Sequence, residues 1–397
     1  MVCILRKNNY NVSMQILTKT HENHIPDSSV REYADPARIL FFDIETTGLS
    51  KESTSLYLIG TGCYNGNNFD TTLFFGDSPS EEKELLVRFF EYCKNFTHVV
   101  MFNGTKFDIP YISYKANLYG LTNALDALEP IDIYLLLKPL RNLLFPVSMR
   151  QKVIEDFLGI VREDEYNGGE LINVYLDYVQ SHDHDCFNKL ITHNLEDVLG
   201  MHKILPILNY RKFIGYMPSF ISHAENEYYD FNNNPQCEYL LRCRFDFDIP
   251  CSFSSKTDTI VLNCNKDTHT LTFRLLFEDG PLSHFYDNYR DYYYIPDMDT
   301  CIHKSAAMGI DRNRRRAATR QTCCIKCEGR FLPESEPLFT PVFKKSYKDK
   351  HLYFAYSGTE DSVTLEQYAA SLLQSVISFR ISKKTLHATR FASSSYD

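Results

Sequence analysis

The stretch FFDIETTGLS, residues 41–50, sets two carboxylates one residue apart within an apolar run that otherwise reads as a buried strand. In an extended strand residues i and i+2 share a face, so Asp43 and Glu45 lie side by side while Phe42 and Ile44 point the other way. Two adjacent acids repel each other and lose hydration on burial, which calls for a compensating cation. Two hard oxygen ligands suggest Mg²⁺ or Mn²⁺. A fold built on this strand must then bring further ligands to the same place.

The chain is long enough to do so. Its 397 residues, 44% of them hydrophobic, suffice for two or three domains with cores of their own. The net charge of −9 excludes a uniformly basic coat, so any contact with nucleic acid has to come from a local patch. Twelve cysteines at irregular spacings follow an N-terminus, MVCILRKNNYNVSMQ, that lacks an apolar signal core. Together they point to reduced thiols in a cytoplasmic protein. No stretch approaches the ~18 apolar residues of a membrane span, so no membrane is expected as a partner.

Residues 1–37 read as a polar leader ending at Asp35-Pro36, a boundary signal. RILFFDIETT is then a strand, and SLYLIGTGCYN with NFDTTLFFGD reads as an antiparallel hairpin continuing from it. SPSEEKELLVRFFEYCKN predicts a helix with Ser80 as N-cap and Leu85, Leu86, Phe89 and Phe90 on its apolar face. HVVMFNG is a short buried strand and FDIPYISYKANLYG opens another helix. From Ile131 to Asn209 the pattern is helical, ending in CFNKLITHNLEDVLGMHKILPIL. This order describes an α/β layered domain over 38–210. The texture then changes: TIVLNCN and HTLTFRLLFED alternate around KDT as a second hairpin, within a smaller α+β domain spanning 211–397 whose tail, SKKTLHATRFASSSYD, reads as disordered.

Further acids stand at informative places. FNGTKFDIPYI puts Asn103, Phe107 and Asp108 where a strand ends and a helix begins, a position that hosts sites in α/β sheets. Asp108 is equally readable as a helix N-cap ahead of Pro110. In ITHNLEDVLGMHKI, His193 and Asp197 are four apart and so share one helix face. Asp132 and Glu196 are extra acids; Asp132 reads as a supporting residue, and Glu196, one step around the helix from Asp197, as facing solvent.

Asp-x-Glu on a strand, Asn-x3-Phe-Asp at a strand-to-helix junction and His-x3-Asp on a late helix, in that order, resemble the three exonuclease motifs of the DEDD superfamily. The flanks FFDIETTGLS, YLIGTG and HNLEDVLGMHKI are most similar to bacterial YprB-like ribonuclease H-like exonucleases. The resemblance covers residues 38–210 and implies a ribonuclease H-like mixed sheet flanked by helices. It implies Asp43, Glu45, Asp108 and Asp197 as catalytic metal-binding acids, and His193 at the position of the general base. His193 stands four residues before the last acid, an offset at which the superfamily usually has tyrosine. The implied activity is 3′→5′ exonucleolytic hydrolysis of single-stranded DNA or RNA ends. Four acids fit two Mg²⁺ or Mn²⁺ ions, which neutralise charge on the attacking and leaving oxygens. Asn103, Phe107 and Asp132 would support the ligands from behind.

Residues 301–350 hold 12 Lys/Arg against 5 Asp/Glu, a local charge of +7. Arg314, Arg315, Arg316, Arg320 and Lys326 are candidates to follow a phosphate backbone, with the aromatics of NYRDYYYIP upstream for stacking. The alternative is a solvated helix face. Cys323, Cys324 and Cys327, with Cys301 and His303 upstream, lack a matching second pair for zinc and read first as reduced structural thiols, with zinc the alternative. Two functions follow: a metal-dependent exonuclease, or a non-catalytic nucleic-acid-binding module that kept the fold. Retention of all four acids favours the first.

Overall fold

A computed structural model of the protein describes residues 3–4, 14–22, 28–145, 147–164, 166, 168–230 and 232–379. The tail read as disordered lies outside these residues. The chain forms two compact units: Met1–Pro139 with Val147–Arg211 and Ile249–Cys251, and Leu140–Pro146 with Lys212–Asp248 and Ser252–Asp397. Among the described residues no helix is long and apolar enough to cross a membrane.

The first unit is a mixed sheet between helices. Strands β1 (Cys3–Ile4), β2 (Gln15–His21), β3 (Ile39–Thr46), β4 (Leu56–Asn65), β5 (Asn68–Phe75), β6 (His98–Met101) and β7 (Glu129–Asp132) lie in the order β1-β2-β5-β4-β3-β6-β7. The antiparallel meander β3-β4-β5 is the expected one, tightened by a two-residue turn in which Gly66 takes φ +62°. β6 and β7 run parallel to β3. Three strands were not legible, the short β1 among them. β2 falls in the segment read as a leader and pairs along the whole of β5, while β7 begins the stretch read as helical; its four residues are too few for a period to show.

On one face Leu40, Phe42 and Ile44 pack against helix α1 (Glu82–Cys93), through Leu85, Leu86 and Phe89, and helix α2 (Asp108–Tyr119), through Tyr111 and Ile112. Each such side chain removed from water contributes ~1.5–3 kcal/mol. Ser80 does not cap α1, because a short 3-10 turn over Pro79–Glu81 precedes it and the Ser80 hydroxyl pairs with Ser78. On the opposite face Tyr57, Leu58, Leu73 and Phe75 meet Leu171, Tyr175 and Tyr178 of helix α5 and Leu190 of helix α6. Besides a one-turn helix over Ser28–Arg31, the further helices of this unit are, in chain order, α3 (Ile133–Leu137), α4 (Gln151–Phe157), α5 (Gly168–Ser181) and α6 (His184–Ile204). Asp43 and Glu45 point to the α6 side, the acids and the apolar residues of β3 being sorted to opposite faces as the strand period requires.

Helix α6 approaches the sheet closely because β4 carries glycine beneath it. A Cβ on Gly60 would lie 1.8 Å from Asn194 Oδ1, and one on Gly62 2.4 Å from the Phe69 ring and 2.9 Å from Val198. The YLIGTG stretch is therefore a seat for the helix that carries His193 and Asp197.

The second unit holds a five-stranded antiparallel sheet, β8 (Ser219–Tyr229), β9 (Pro235–Arg244), β10 (Phe253–Lys256), β11 (Ile260–Asn265) and β12 (Thr270–Leu276), ordered β10-β11-β12-β9-β8. The β11–β12 pair is the hairpin expected around KDT. Two three-stranded sheets follow, β13 (Glu278–Phe285) with β17 (Cys324–Glu334) and β18 (Leu352–Ala355), and β14 (Tyr292–Ile295) between β15 (Thr300–His303) and β16 (Arg316–Ala317). Helix α7 (Ser362–Ser378) covers the inner face of the large sheet, where Tyr239, Leu241, Cys243, Leu271 and Phe273 are buried.

Replacing Gly62 with alanine should cost about 1–3 kcal/mol through overpacking against Phe69 and Val198. Chemical denaturation would show it as a lower midpoint at constant slope; an unchanged midpoint would mean that α6 is not held at this distance by the glycine.

Candidate metal centre

The carboxyl ends of β3 and the first turn of α2 converge on the middle of α6. Asp43 is partly buried and accepts a 2.9 Å hydrogen bond from Asn194 Nδ2, the side chain that fills the space above Gly60. Glu45 is buried, with Oε1 3.7 Å from His193 Nε2. That nitrogen is 3.3 Å from Asp197 Oδ2, one helical turn on. Donor atoms of Glu45, His193 and Asp197 all lie within 4.8 Å of one another, and among the described residues no other trio of His, Cys, Asp or Glu does so.

Asp108 is not the N-cap of α2 but its first residue; Phe107 precedes the helix, partly buried against the aromatic core. Burial, aided by the charges of Asp132 and Asp197, raises the Asp108 carboxyl to about 7 against the opposing hydrogen bonds of the Asp108 and Ile44 backbone amides. Asp43 is raised well above the carboxylate range by burial, then by Asp197, Asp108 and Glu45, with Arg162 opposing. Glu45 is raised for the same reasons, burial and Asp197 foremost. Asp43, Glu45 and Asp108 thus resist ionisation, each by its burial and by the charge of neighbouring acids. Asp132 works from behind: it accepts from the amides of Asn103 (2.9 Å) and Thr105 (3.1 Å) and caps α3 through Leu135. This fixes the turn before α2, in which Asn103 takes φ +61° and Gly104 leaves the room that Asp108 Oδ2 occupies, 2.7 Å from where a Cβ would be.

The loop after α4 supplies what sequence reading missed. Arg162, almost buried, donates to Asp197 Oδ1 at 2.7 Å and to both oxygens of buried Glu155 at 3.3 and 3.0 Å. Asp197 and Glu155 hold its guanidinium charged in spite of burial. Asp164 Oδ2 accepts from His193 Nδ1 at 2.6 Å. Although burial opposes it, the neighbouring His193 ring and Lys152 keep Asp164 below the ordinary carboxylate range. An ionised Asp164 calls for a proton on Nδ1, and the ring so held turns Nε2 toward Glu45 and Asp197. Glu196 does not face solvent: its two oxygens accept from the amides of Glu163 and Asp164 at 2.9 Å each and tie the loop to α6. None of this had a periodic signal, since Arg162 and Asp164 sit in an irregular segment and find α6 only in three dimensions.

Residues 40–209 match the RNase_H_2 family of the RNase_H superfamily. The first unit is a ribonuclease H-like fold. The mixed sheet, flanked by helices on both faces, is the architecture expected from the sequence. Solved structures similar to the chain include the family B DNA polymerase from the hyperthermophilic archaeon Pyrobaculum calidifontis, at 14% identity and a TM-score of 0.36, matching 67% of this chain and 35% of that one. An ExoI/SSB-Ct complex is similar at 11% identity and a TM-score of 0.26, over 73% of this chain and 65% of that one. The chain thus spans less than two thirds of the length of either. No curated protein matches it. In the ribonuclease H-like unit the donor set suits a divalent cation: carboxylate oxygens predominate, they repel one another, and among the described residues the guanidinium bonded to them, Arg162, engages the outer oxygen of Asp197.

The basic segment of the second unit is less free than its composition suggests. Arg314 pairs with Asp297 at 2.9 Å, Lys326 pairs with Asp299, and Arg315 donates to the Ala307 carbonyl while lying 4.8 Å above the Tyr293 ring. Arg320 stacks over Tyr289, and Arg316 is exposed on β16. The run is a 3-10 turn and a strand, not a helix face. Cys301 and Cys323 are buried among Tyr286, Tyr289, Tyr292 and Tyr294, while His303 is exposed and bonds Ser305.

Two outcomes test this centre. Substituting Arg162 by methionine strands the Glu155 charge and should cost about 3–5 kcal/mol, most of it recovered when Glu155 is replaced by leucine as well; equal losses in the single and double variants would deny the pairing. The second concerns pH. The folded pKa of Asp108 is raised from 3.8 to about 7, so the folded state holds a proton that the unfolded chain has released. That contribution is complete below pH ~4 and is lost as pH rises through ~7. In EDTA the melting temperature should therefore fall from pH 5 to pH 8, with a shallower fall in Asp108→Asn. A melting temperature that climbs over this range, with Asp108→Asn no different, would contradict the buried-acid reading.

Proposed function

We propose that the ribonuclease H-like unit is a divalent-cation-dependent nuclease, and more narrowly a 3′→5′ exonuclease acting on single-stranded DNA or RNA ends. The carrying observation is the cluster of Glu45, His193 and Asp197, whose donor atoms lie within 4.8 Å of one another, with the carboxyls of Asp43 and Asp108 near enough to Asp197 to feel its charge. The superfamily match over residues 40–209 supports the same class of chemistry. Asp43, Glu45, Asp108 and Asp197 would hold two Mg²⁺ or Mn²⁺ ions, whose charge offsets that developing on the attacking and leaving oxygens of a phosphodiester.

The protein's own side chains carry the remaining work. Asn194 fixes the Asp43 carboxylate through Oδ2. Arg162 takes the outer oxygen of Asp197 and leaves the inner one, Oδ2, directed at the centre. Asp164 holds His193 in the tautomer whose Nε2 can accept a proton from the attacking water, and stabilises the imidazolium that results. Asn103 and Asp132 set the turn from which Asp108 projects.

Incubation with 5′-labelled DNA and RNA oligonucleotides decides the matter. Stepwise shortening from the 3′ end is expected with Mg²⁺ or Mn²⁺ and none in EDTA. Asp43→Asn should abolish it while leaving the protein folded, because shape is kept and a repelling charge is removed. A protein that binds these strands yet never shortens them would be a non-catalytic binding module, and full activity in EDTA or in Asp43→Asn would refute the nuclease assignment.

A further inference from the structure

The outer face of the five-stranded sheet in the second unit carries charge that nothing satisfies. Register places Arg242 of β9 opposite Thr272 of β12 and Ser222 of β8, and Arg244 opposite Thr270 and Ser219. The alternate residues Leu241 and Cys243 are buried beneath α7, so both arginines project outward and are exposed. Neither forms an ion pair or hydrogen bond with any described residue. They line an open trough of about 810 Å³ whose polar walls are hydroxyl and amide groups, among them Ser254, Asn263, Thr270 and Thr272, with exposed Ile221 and the buried Phe253 and Cys264 completing it and no acid in the lining. The Ser254 hydroxyl donates to Asn263 Oδ1 at 2.7 Å, which leaves the amide hydrogens of Asn263 for something else. Lys256, exposed on the edge strand β10, adds a third cation to this face. The acid on the same face of β9, Glu238, is spent on Arg274 at 2.9 Å and Asn226 at 2.8 Å, and Asp246, just beyond the strand, accepts from the Tyr216 hydroxyl at 2.7 Å.

We infer that this trough binds the phosphate backbone of a single-stranded nucleic acid through Arg242 and Arg244. The two guanidinium groups stand two residues apart on one strand, about 6–7 Å along it, a step comparable to that between consecutive phosphates of an extended strand. Hydroxyl and amide donors around them complete phosphate oxygens without adding charge. No exposed aromatic ring lines the trough, so bases are not stacked there, and the grip is on the backbone and independent of sequence. The chain as a whole is at −9, so an acid-free cationic trough singles out a polyanion. In the basic segment at 312–326, Arg314 and Lys326 already have acidic partners and Arg315 and Arg320 lie over tyrosine rings, which leaves Arg312 and Arg316 as its exposed cations without an acidic partner among the described residues.

The inference rests on the nuclease reading only in taking the bound strand as substrate, and its test does not need cleavage. Binding of a fluorescein-labelled oligothymidylate and oligouridylate to the full chain is measured in EDTA across a salt series, for the native protein and for Arg242→Ser/Arg244→Ser. The variant should bind more weakly, and its log–log salt slope should be shallower by about 1.4, at ~0.7 per lost phosphate contact on a single strand. An unchanged affinity and slope would overturn the assignment. So would displacement of the oligonucleotide by polyglutamate at equal charge concentration, which would make the trough a site for acidic peptides. Mn²⁺-dependent hydrolysis of bis(p-nitrophenyl) phosphate, which needs no strand, should be equal in both proteins. If neither hydrolyses it while the binding difference holds, the nuclease reading falls and the trough stands; if both hydrolyse it and bind alike, the reverse is true.

Discussion

Repulsion among Asp43, Glu45, Asp108 and Asp197 is the constraint around which the first unit is organised. Gathering these acids at the end of β3 opposes folding, because burial and the charge of the neighbouring acids both disfavour the ionised forms of Asp43, Glu45 and Asp108. The surrounding structure is strong enough to impose it. Phe42 and Ile44 anchor the same strand in an aromatic core on the opposite face, and α6 is drawn onto β4 by the absence of side chains at Gly60 and Gly62. The stability of the layers holds the acids where their own electrostatics would not, a pattern expected where a site rather than the fold sets the residue type.

Arg162 partly offsets that repulsion without removing it. It neutralises one oxygen of Asp197 and the buried charge of Glu155, and Gln151 joins Glu155 to the Asp197 backbone carbonyl at 2.9 Å on each side. A cation fixed in this way orients the acid it touches. It does not reach Glu45, which has only the amide side of Asn194 and the ring of His193 for company. The asymmetry leaves the inner oxygens of Glu45 and Asp197 facing each other across His193 Nε2 and keeps the demand for external positive charge there.

The parts of this arrangement that were legible in the sequence are those carried by short-range regularities. Asp43 and Glu45 share a face by the strand period, His193 and Asp197 by the helical turn, and the ribonuclease H-like sheet followed from the order of the elements. Arg162, Asp164, Glu155 and Asn194 were not legible. The first two act from an irregular loop, Glu155 looks like any acid on an amphipathic helix, and Asn194 matters only because Gly60 lies beneath it. Glu196 was misread for a related reason: its position on the helix wheel says which way it leaves α6 but not that the 163–164 amides are waiting there. In the second unit, local composition drew attention to Arg314–Arg316, whereas Arg242 and Arg244 in LLRCRF carry no density signal and stand out only once their partners are counted.

Charge also links the two halves of the proposed activity. A centre made of four acids repels a phosphodiester, so occupancy by divalent cation and occupancy by nucleic acid at that centre must favour each other, and by linkage each raises the affinity of the other by the same factor. The same repulsion means that little of the affinity for a strand can originate at the centre itself, least of all in a chain whose net charge is −9. Positive charge without local partners is what a polyanion needs. In the described part of the second unit Arg242 and Arg244 have that property and Arg314 and Lys326 do not, because exposed ion pairs must be broken before they can exchange a carboxylate for a phosphate.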